Sequence, residues 1–393
     1  MALLTNNEKI IKILKNEARE ASLMSTSSHR VHTPIGLVRE MLSNIDEVYL
    51  HCGDILVLFN IEFLLELREL GVDMNGVTYY TDDDFKGKAA AKIGVKVITE
   101  LPMNKKFDVV LLNPPYSNDT QKDLYMEYVR LAMGLSNYAT AIITPSRWTS
   151  LNNATFKKFN NELLDNGLSY FKWNDAKTFD VQMPTCSYVL DKDNTSNTVT
   201  VINEDNDTAS VDINKIGFYP ADFDALSVLD KVAGLPGLKI KSGGLYESGL
   251  VAGSNKIVLR AGTKGEALPY FMGDDSSAAK TSLRGESKVV FSRNTAEFKI
   301  GEVKIADKDA GVGFGAFGIV TNNDAEGDNL IGYLNSNLVK FLVRNYKKGT
   351  KGNSIELFSK IPAMDFTRSW SDADVYSHFG LTDADIEYIE ANI

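Results

Sequence analysis

Two cysteines and four histidines in 393 residues leave little material for a disulfide framework or a metal centre. Cys52 and Cys186 are too few for a stapled scaffold, and without a Cys-x-x-Cys pair or a histidine cluster no zinc site is expected. Both read as buried thiols in a reducing compartment. No apolar run approaches membrane-spanning length, and the opening Met1-Ala2-Leu3-Leu4-Thr5-Asn6-Asn7-Glu8 lacks the basic start and long apolar stretch of a signal peptide. These absences lead to the expectation of a cytoplasmic protein with no membrane partner. Overall positive charge is missing too: a net charge of −10 excludes a protein that coats nucleic acid by bulk electrostatics.

What is present is a composition able to bury real cores, 44% hydrophobic and 24% charged, at a length that suggests two or three domains. The charge is unevenly placed. From Pro236 to Lys360 there are 18 Lys and Arg against 13 Asp and Glu, a local balance of +5 that leaves −15 for the rest of the chain. A second domain facing a phosphate backbone would carry this polarity, and so would a mixed solvated surface.

The first half alternates apolar strand-like runs with helix-like segments, the pattern of an open, mostly parallel α/β sheet. Strands are expected at Ile55–Phe59, Val77–Thr81, Val95–Ile98, Phe107–Leu112, Tyr138–Thr144, Tyr170–Trp173 and Thr185–Leu190. Helices are expected at Glu62–Leu70, Asp84–Ile93, Gln121–Gly134 and Ala154–Asp165. Ligands of such sheets bind beyond the carboxyl ends of the strands. At one of those ends stands Asn113-Pro114-Pro115-Tyr116.

This tetrapeptide matches one chemistry. The exocyclic amino group of adenine is a poor nucleophile because its lone pair is delocalised into the ring. The Asn113 side-chain oxygen and the Pro114 carbonyl can each accept one of its N–H groups, drawing the lone pair out of the ring plane. Prolines 114 and 115 restrict the backbone and remove N–H donors, and Tyr116 offers a face for stacking. The arrangement resembles motif IV of the S-adenosylmethionine-dependent amino-methyltransferases. Asn-Pro-Pro-Tyr also occurs in methyltransferases of RNA adenine and of protein glutamine, although the long carboxy-terminal half argues against the small protein methylases.

The resemblance extends along the chain. Thr33-Pro34-Ile35-Gly36-Leu37-Val38-Arg39-Glu40-Met41-Leu42 is similar to the motif X helix that packs on the methionine part of the cofactor. Ala176-Lys177-Thr178-Phe179 to Thr185 resembles motif VIII, which implies that Phe179 stacks on an extruded base. Ile361-Pro362-Ala363-Met364-Asp365-Phe366 and the following tail resemble restriction-modification adenine methylases. The motif order is similar to that of γ-class DNA N6-adenine methyltransferases. What this implies is a Rossmann-like, seven-stranded methyltransferase sheet, S-adenosylmethionine as cofactor, double-stranded DNA as partner and base flipping to reach the adenine. No Pro-Asp…Glu-x-Lys nuclease arrangement is visible, so a methylase paired with a separate cognate restriction endonuclease, or a solitary one, is expected.

One departure stands out. The family's motif I is a glycine-rich loop after the first strand, whereas Phe59-Asn60-Ile61-Glu62-Phe63 contains no glycine. Using Cys52-Gly53-Asp54 as the loop leaves one glycine and puts Ile55 where a small residue is expected. The first alignment gives the better spacing to Asp82, which matches the acidic position that holds ribose hydroxyls. Candidate cofactor-binding residues are therefore Thr33, Pro34, Phe59, Asn60, Glu62, Asp82 and Asn113. The missing loop also makes a catalytically impaired DNA-binding homologue an alternative.

The polar stretch Asp191–Asp212 marks a domain boundary, giving a catalytic domain over 1–205 and an α+β target-recognition domain over 206–393. Beyond it, Gly311-Val312-Gly313-Phe314-Gly315-Ala316-Phe317-Gly318 reads as tight turns in a β-rich region, with no βαβ unit to make it a dinucleotide fingerprint. Asn329–Arg344 reads as one amphipathic helix. Ser371-Asp372-Ala373-Asp374 and Thr382-Asp383-Ala384-Asp385 read as two helix starts. Arg284, Arg293, Lys347 and Lys348 are the candidate DNA contacts.

Overall fold

A computed structural model describes residues 33–102, 104–117, 122–150, 154–175, 183–196, 198–260, 268–295, 299–347 and 352–393. The chain divides into two compact units, Met1–Phe223 and Asp224–Ile393.

In the first unit the apolar runs form β1 (Ile55–Leu58), β2 (Val77–Tyr80), β3 (Lys96–Ile98), β4 (Phe107–Leu112), β5 (Ser136–Pro145), β6 (Leu168–Trp173) and β7 (Thr185–Asp191). A hairpin of β8 (Val199–Ile202) and β9 (Thr208–Val211) follows. The described strands make one sheet in the order β3-β2-β1-β4-β5-β7-β6-β8-β9. β7 runs antiparallel to both β5 and β6, while β1 to β5 pair parallel. The mostly parallel α/β sheet expected from the sequence is therefore present, extended by the hairpin.

Every residue of β1 and β2 is buried, as a strand covered on both faces requires. The covering helices are α1 (Ile35–Leu42), α2 (Glu47–Cys52), α3 (Ile61–Glu69), α4 (Asp84–Lys92), α5 (Tyr125–Leu135) and α6 (Ala154–Asp165). α1 buries Leu37, Val38, Met41 and Leu42 in the same core as Ile55 and Val57 of β1 and Phe63, Leu64 and Leu67 of α3. Arg39 ties the two helices together, with Nε and Nη2 donating to the two carboxylate oxygens of buried Glu66 at 2.5 and 3.2 Å.

The sheet order reverses at β1. The chain first adds β2 on one side and later β4 on the other, and Leu58 is in register with Leu112. The residues after these two leucines, Phe59 and Asn113, thus leave the sheet side by side at the switch point, where such sheets bind ligands.

The boundary expected at 205/206 falls in the turn of the β8–β9 hairpin, which pairs with β6. A polar, turn-rich sequence proved to be a sheet extension, and the first unit runs on through α7 (Ile213–Ile216) to Phe223. Cys186 is buried as expected, but Cys52, the last residue of α2, is exposed.

The second unit holds two three-stranded sheets among its described residues. One is β11 (Phe271–Gly273), β10 (Ala252–Val258) and β14 (Gly311–Val312); the other is β13 (Val303–Ala306), β12 (Lys288–Ser292) and β15 (Ala316–Val320). The glycine run joins the two. A Cβ on Gly315 would lie 2.1 Å from the Leu259 carbonyl oxygen, so no side chain fits there. Its helices include α8 (Leu226–Val232), α9 (Asp275–Ala278), α10 (Asp324–Leu334), α11 (Asn337–Tyr346) and α12 (Ile355–Phe358). The single helix expected at Asn329–Arg344 is two, because Ser336 caps α11 by accepting from Val339 N. Both expected capping boxes form, opening α13 (Asp372–His378) and α14 (Asp383–Ala391).

Candidate active site

Asn113 follows β4 directly and is buried. Its Nδ2 donates to Thr33 Oγ1 at 3.0 Å. A planar amide whose nitrogen is committed in this way turns its oxygen to the opposite side, leaving it to serve as the acceptor that amino-group chemistry needs. Thr33 is fixed in turn by α1, since Pro34 caps that helix and its carbonyl accepts from Leu37 N and Val38 N. The next residue of the tetrapeptide, Pro114, is buried, and Pro115 is partly exposed. Tyr116 departs from expectation: its ring is only 7% exposed, so it offers no open stacking face. Burial pushes its hydroxyl pKa well above the ordinary value, with neighbouring Asn113 acting the other way.

On the β1 side, Phe59 takes φ 72°, the left-handed region that glycine normally supplies. Its backbone and its ring are both held. Its N–H donates to the Tyr80 carbonyl at 3.0 Å, its carbonyl accepts from the Tyr79 hydroxyl at 2.9 Å, and its ring lies edge-on to Tyr80 and Tyr128 at 5.3 Å each. The loop without glycine therefore keeps a glycine conformation and replaces backbone openness with buried aromatic packing. Sequence reading missed Tyr79 as the brace; two tyrosines ending the neighbouring strand were the available signal.

Asn60 begins α3 without capping it. Its Nδ2 lies 3.5 Å from Thr33 Oγ1, and its Oδ1 is buried without a hydrogen-bond partner. Glu62, in the first turn of α3, is also buried. Asp82 is exposed, two residues beyond β2. The structure thus brings Thr33, Phe59, Asn60 and Asn113 together around the ends of β1 and β4. Phe179 lies outside the described residues.

The candidate DNA contacts fare unevenly. Arg284 is exposed, with Nη2 donating to Asn255 Oδ1. Arg293 is built into the glycine run: Nε donates to the Phe314 carbonyl at 2.8 Å, and the guanidinium lies 4.1 and 4.3 Å from the ring centres of Phe314 and Phe317. Lys347 is a correction. It is 2% exposed, and its Nζ donates to the Lys299 carbonyl at 2.5 Å, so it is an internal tether and no open phosphate contact. Lys347 is the C-cap of α11, whose apolar face buries Leu338, Val339, Phe341, Leu342 and Val343, and its stem is buried although Arg344 in the turn before it is exposed. Lys348 lies outside the described residues.

Residues 76–179, which include the tetrapeptide, match the model of the Eco57I restriction-modification methylase family. No curated protein matches the chain. Among solved structures, the type IIG restriction endonuclease BpuSI is 10% identical, with a TM-score of 0.44 over 91% of this chain and 62% of that one. The type IIL restriction-modification enzyme MmeI, solved in complex with DNA, is 8% identical, with a TM-score of 0.40 over 99% of this chain and 74% of that one. A type I restriction-modification methyltransferase subunit from Streptococcus thermophilus is 16% identical, with a TM-score of 0.37 over 50% of this chain and 52% of that one. The chain spans about half the length of the type I subunits it matches. Its α/β unit is similar to restriction-modification methylases in the region that carries Asn113.

Proposed function

We propose that the chain is a DNA methyltransferase that transfers the methyl group of S-adenosylmethionine to N6 of adenine in double-stranded DNA. The observation that carries this reading is the Asn113 amide, held by Thr33 at the switch point with its oxygen turned away from that bond. The residues present fit the cofactor. Asn60 Oδ1 is a buried acceptor lacking a partner, as a cationic ligand group requires, and Asp82 stands exposed beyond the neighbouring strand, suited to ribose hydroxyls. Thr33, Pro34, Phe59, Asn60, Glu62 and Asp82 would hold the cofactor, which when bound supplies an electrophilic methyl group.

The rest of the mechanism belongs to the chain. Asn113 Oδ1 and the Pro114 carbonyl accept hydrogen bonds from the two amino N–H groups and draw the nitrogen lone pair out of the ring plane. The acidic proton of the methylated, cationic amino group is then lost to water, so no strong base is needed. Adenine N6 is inaccessible within a paired duplex, so the base is extruded into the site, where the motif VIII resemblance assigns Phe179 to stack on it. The second unit acts as the target-recognition domain, with Arg284 on its DNA face, and the protein works in a restriction-modification setting in the cytoplasm.

Incubation with labelled S-adenosylmethionine and DNA, RNA or protein tests the reading, with label expected in duplex adenine. Asn113→Ala should lower turnover about 100-fold or more while cofactor affinity stays near wild type. A variant retaining more than roughly a tenth of the wild-type rate overturns the assignment.

One observation favours a second reading, a DNA-binding homologue that does not turn over: the buried Phe59 ring stands where the family has glycine. Calorimetry with S-adenosylhomocysteine in the presence of DNA separates the two, because only the enzyme reading requires binding.

A further inference from the structure

The glycine run of the second unit holds an aromatic side chain at the surface. Phe314 is only partly buried, yet its backbone is fixed at both ends: its N–H donates to the Leu245 carbonyl at 2.8 Å, and its carbonyl accepts from Arg293 Nε at 2.8 Å. The glycines on either side let the chain pass this close. A Cβ on Gly313 would lie 2.9 Å from the Leu245 carbonyl oxygen, and one on Gly315 2.1 Å from that of Leu259. The Tyr246 ring stacks on Phe314 with centroids 4.1 Å apart and planes 24° from parallel, while the Arg293 guanidinium lies 4.1 Å from the same Phe314 centroid. One ring face has no room for both at that distance, so they take opposite faces. Arg293, Phe314 and Tyr246 thus form a column of planar groups, with Phe317 against the guanidinium at its inner end. Its outer end is Tyr246, 54% exposed, with one face on Phe314 and the other open to solvent.

We propose that Tyr246 is a stacking platform for a DNA base that has lost a stacking neighbour. This rests on the DNA-methyltransferase reading and deepens it: extrusion of the adenine uncovers the faces of the bases beside it, whereas an intact duplex offers such a face only at its ends. The charge around the column fits a nucleotide. Among the described residues Arg293 meets only carbonyl, hydroxyl and ring groups, so no carboxylate offsets its charge. Exposed Lys241 and Lys280 lie beside the Tyr246 loop, since Lys241 pairs through its backbone with Gly318 and the Lys280 carbonyl accepts from Gly244 and Leu245 N–H. Exposed Glu247 is the opposing charge next to Tyr246. A nucleotide brings a planar face for the ring and a phosphate for the cations, and an apolar partner would use only the first. Because Phe314 already holds Tyr246, little side-chain freedom is lost when a base joins the column.

The test is binding of the full chain to mixed-sequence duplexes with a bulged thymine, with an abasic bulge, or with none. The abasic bulge supplies the same bend and phosphates without a face to stack, and thymine keeps the probe apart from the adenine reaction. Wild type should prefer the thymine bulge to the abasic one by roughly 5- to 150-fold, the range that truncating a base-stacking aromatic covers. Tyr246→Phe should keep that preference. Tyr246→Ala should abolish it and leave the salt dependence of binding unchanged, because stacking releases no counterions. Tyr246→Leu, which keeps an apolar cover on Phe314 without a planar face, should behave as the alanine variant does and replaces it if that variant unfolds. A preference that persists in either variant, is absent from wild type, or is lost together with a flattened salt slope overturns the platform, while label in duplex adenine leaves the methyltransferase reading standing. A wild type that binds none of the three duplexes overturns both.

Discussion

The Tyr79 hydroxyl donates to the Phe59 carbonyl at 2.9 Å, bracing a bulky residue in the left-handed backbone region. Such a conformation costs an ordinary residue about 1–2 kcal/mol. It persists because the ring and the backbone are both fixed by neighbours.

The first prediction follows from separating these two effects. Removing the ring costs about 3–5 kcal/mol whichever small residue replaces it. Glycine then adopts φ 72° freely and alanine does not. Phe59→Gly should therefore be more stable than Phe59→Ala by about 1 kcal/mol, reversing their usual order in regular structure. Urea midpoints of the two variants decide it, and a more stable alanine variant would contradict the strain.

A second prediction concerns Lys347. Burial lowers its pKa to about 8, below the roughly 10.4 of an unfolded lysine. Between those values the unfolded chain binds a proton that the folded chain has released, so the contribution to stability rises with pH across that window. Wild type should gain stability relative to Lys347→Met from about pH 8 to about pH 10. The same variant should leave the salt dependence of DNA binding unchanged, because the amine is internal. A flattened salt slope would return Lys347 to the DNA surface.

Arg293 and Arg284 should behave oppositely. Arg293→Lys loses the planar stack between Phe314 and Phe317 and should destabilise the second unit by about 1–2 kcal/mol. Arg284→Ala, at an exposed position, should leave unfolding within about 0.5 kcal/mol of wild type and weaken DNA binding. Chemical denaturation and DNA titration of both variants test the contrast.

The cysteines give a fourth. Burial pushes the Cys186 thiol pKa up to about 12, whereas Cys52 is exposed. A thiolate-selective reagent should modify Cys52 alone in the folded protein and both residues in denaturant. Modification of Cys186 at a comparable rate without denaturant would show that the β5–β7 region opens readily.

The sheet was legible in the sequence because strands buried on both faces leave uninterrupted apolar runs, and Asn113 because a proline pair after such a run has few uses. The expected strand Ile55–Phe59 ran one residue too far, since Phe59 is as apolar as its neighbours and only its backbone angle ends the strand. Asn60, Asp82 and Thr33 were legible as polar residues near strand ends or a helix start. That Thr33 joins Asn60 to Asn113 was not, because the contact spans 27 residues one way and 80 the other. Lys347 was misread because a lysine in a basic run looks solvated, while its direction depends on the last turn of α11. The division of α10 from α11 turned on the Ser336 cap, which the continuous leucine spacing concealed.

The β8–β9 hairpin bears on where this chain can be divided. A sheet ending at β6 would leave that strand's N–H and C=O groups open along one side, an invitation to pair with another molecule. The hairpin moves the open side to β9, four residues long and flanked by Glu204, Asp205, Asp207 and Asp212, whose charges discourage end-to-end growth of the sheet. A fragment cut at residue 205 would lose β9 and leave β8 as a bare edge, so it should aggregate where one ending at Phe223 stays dispersed.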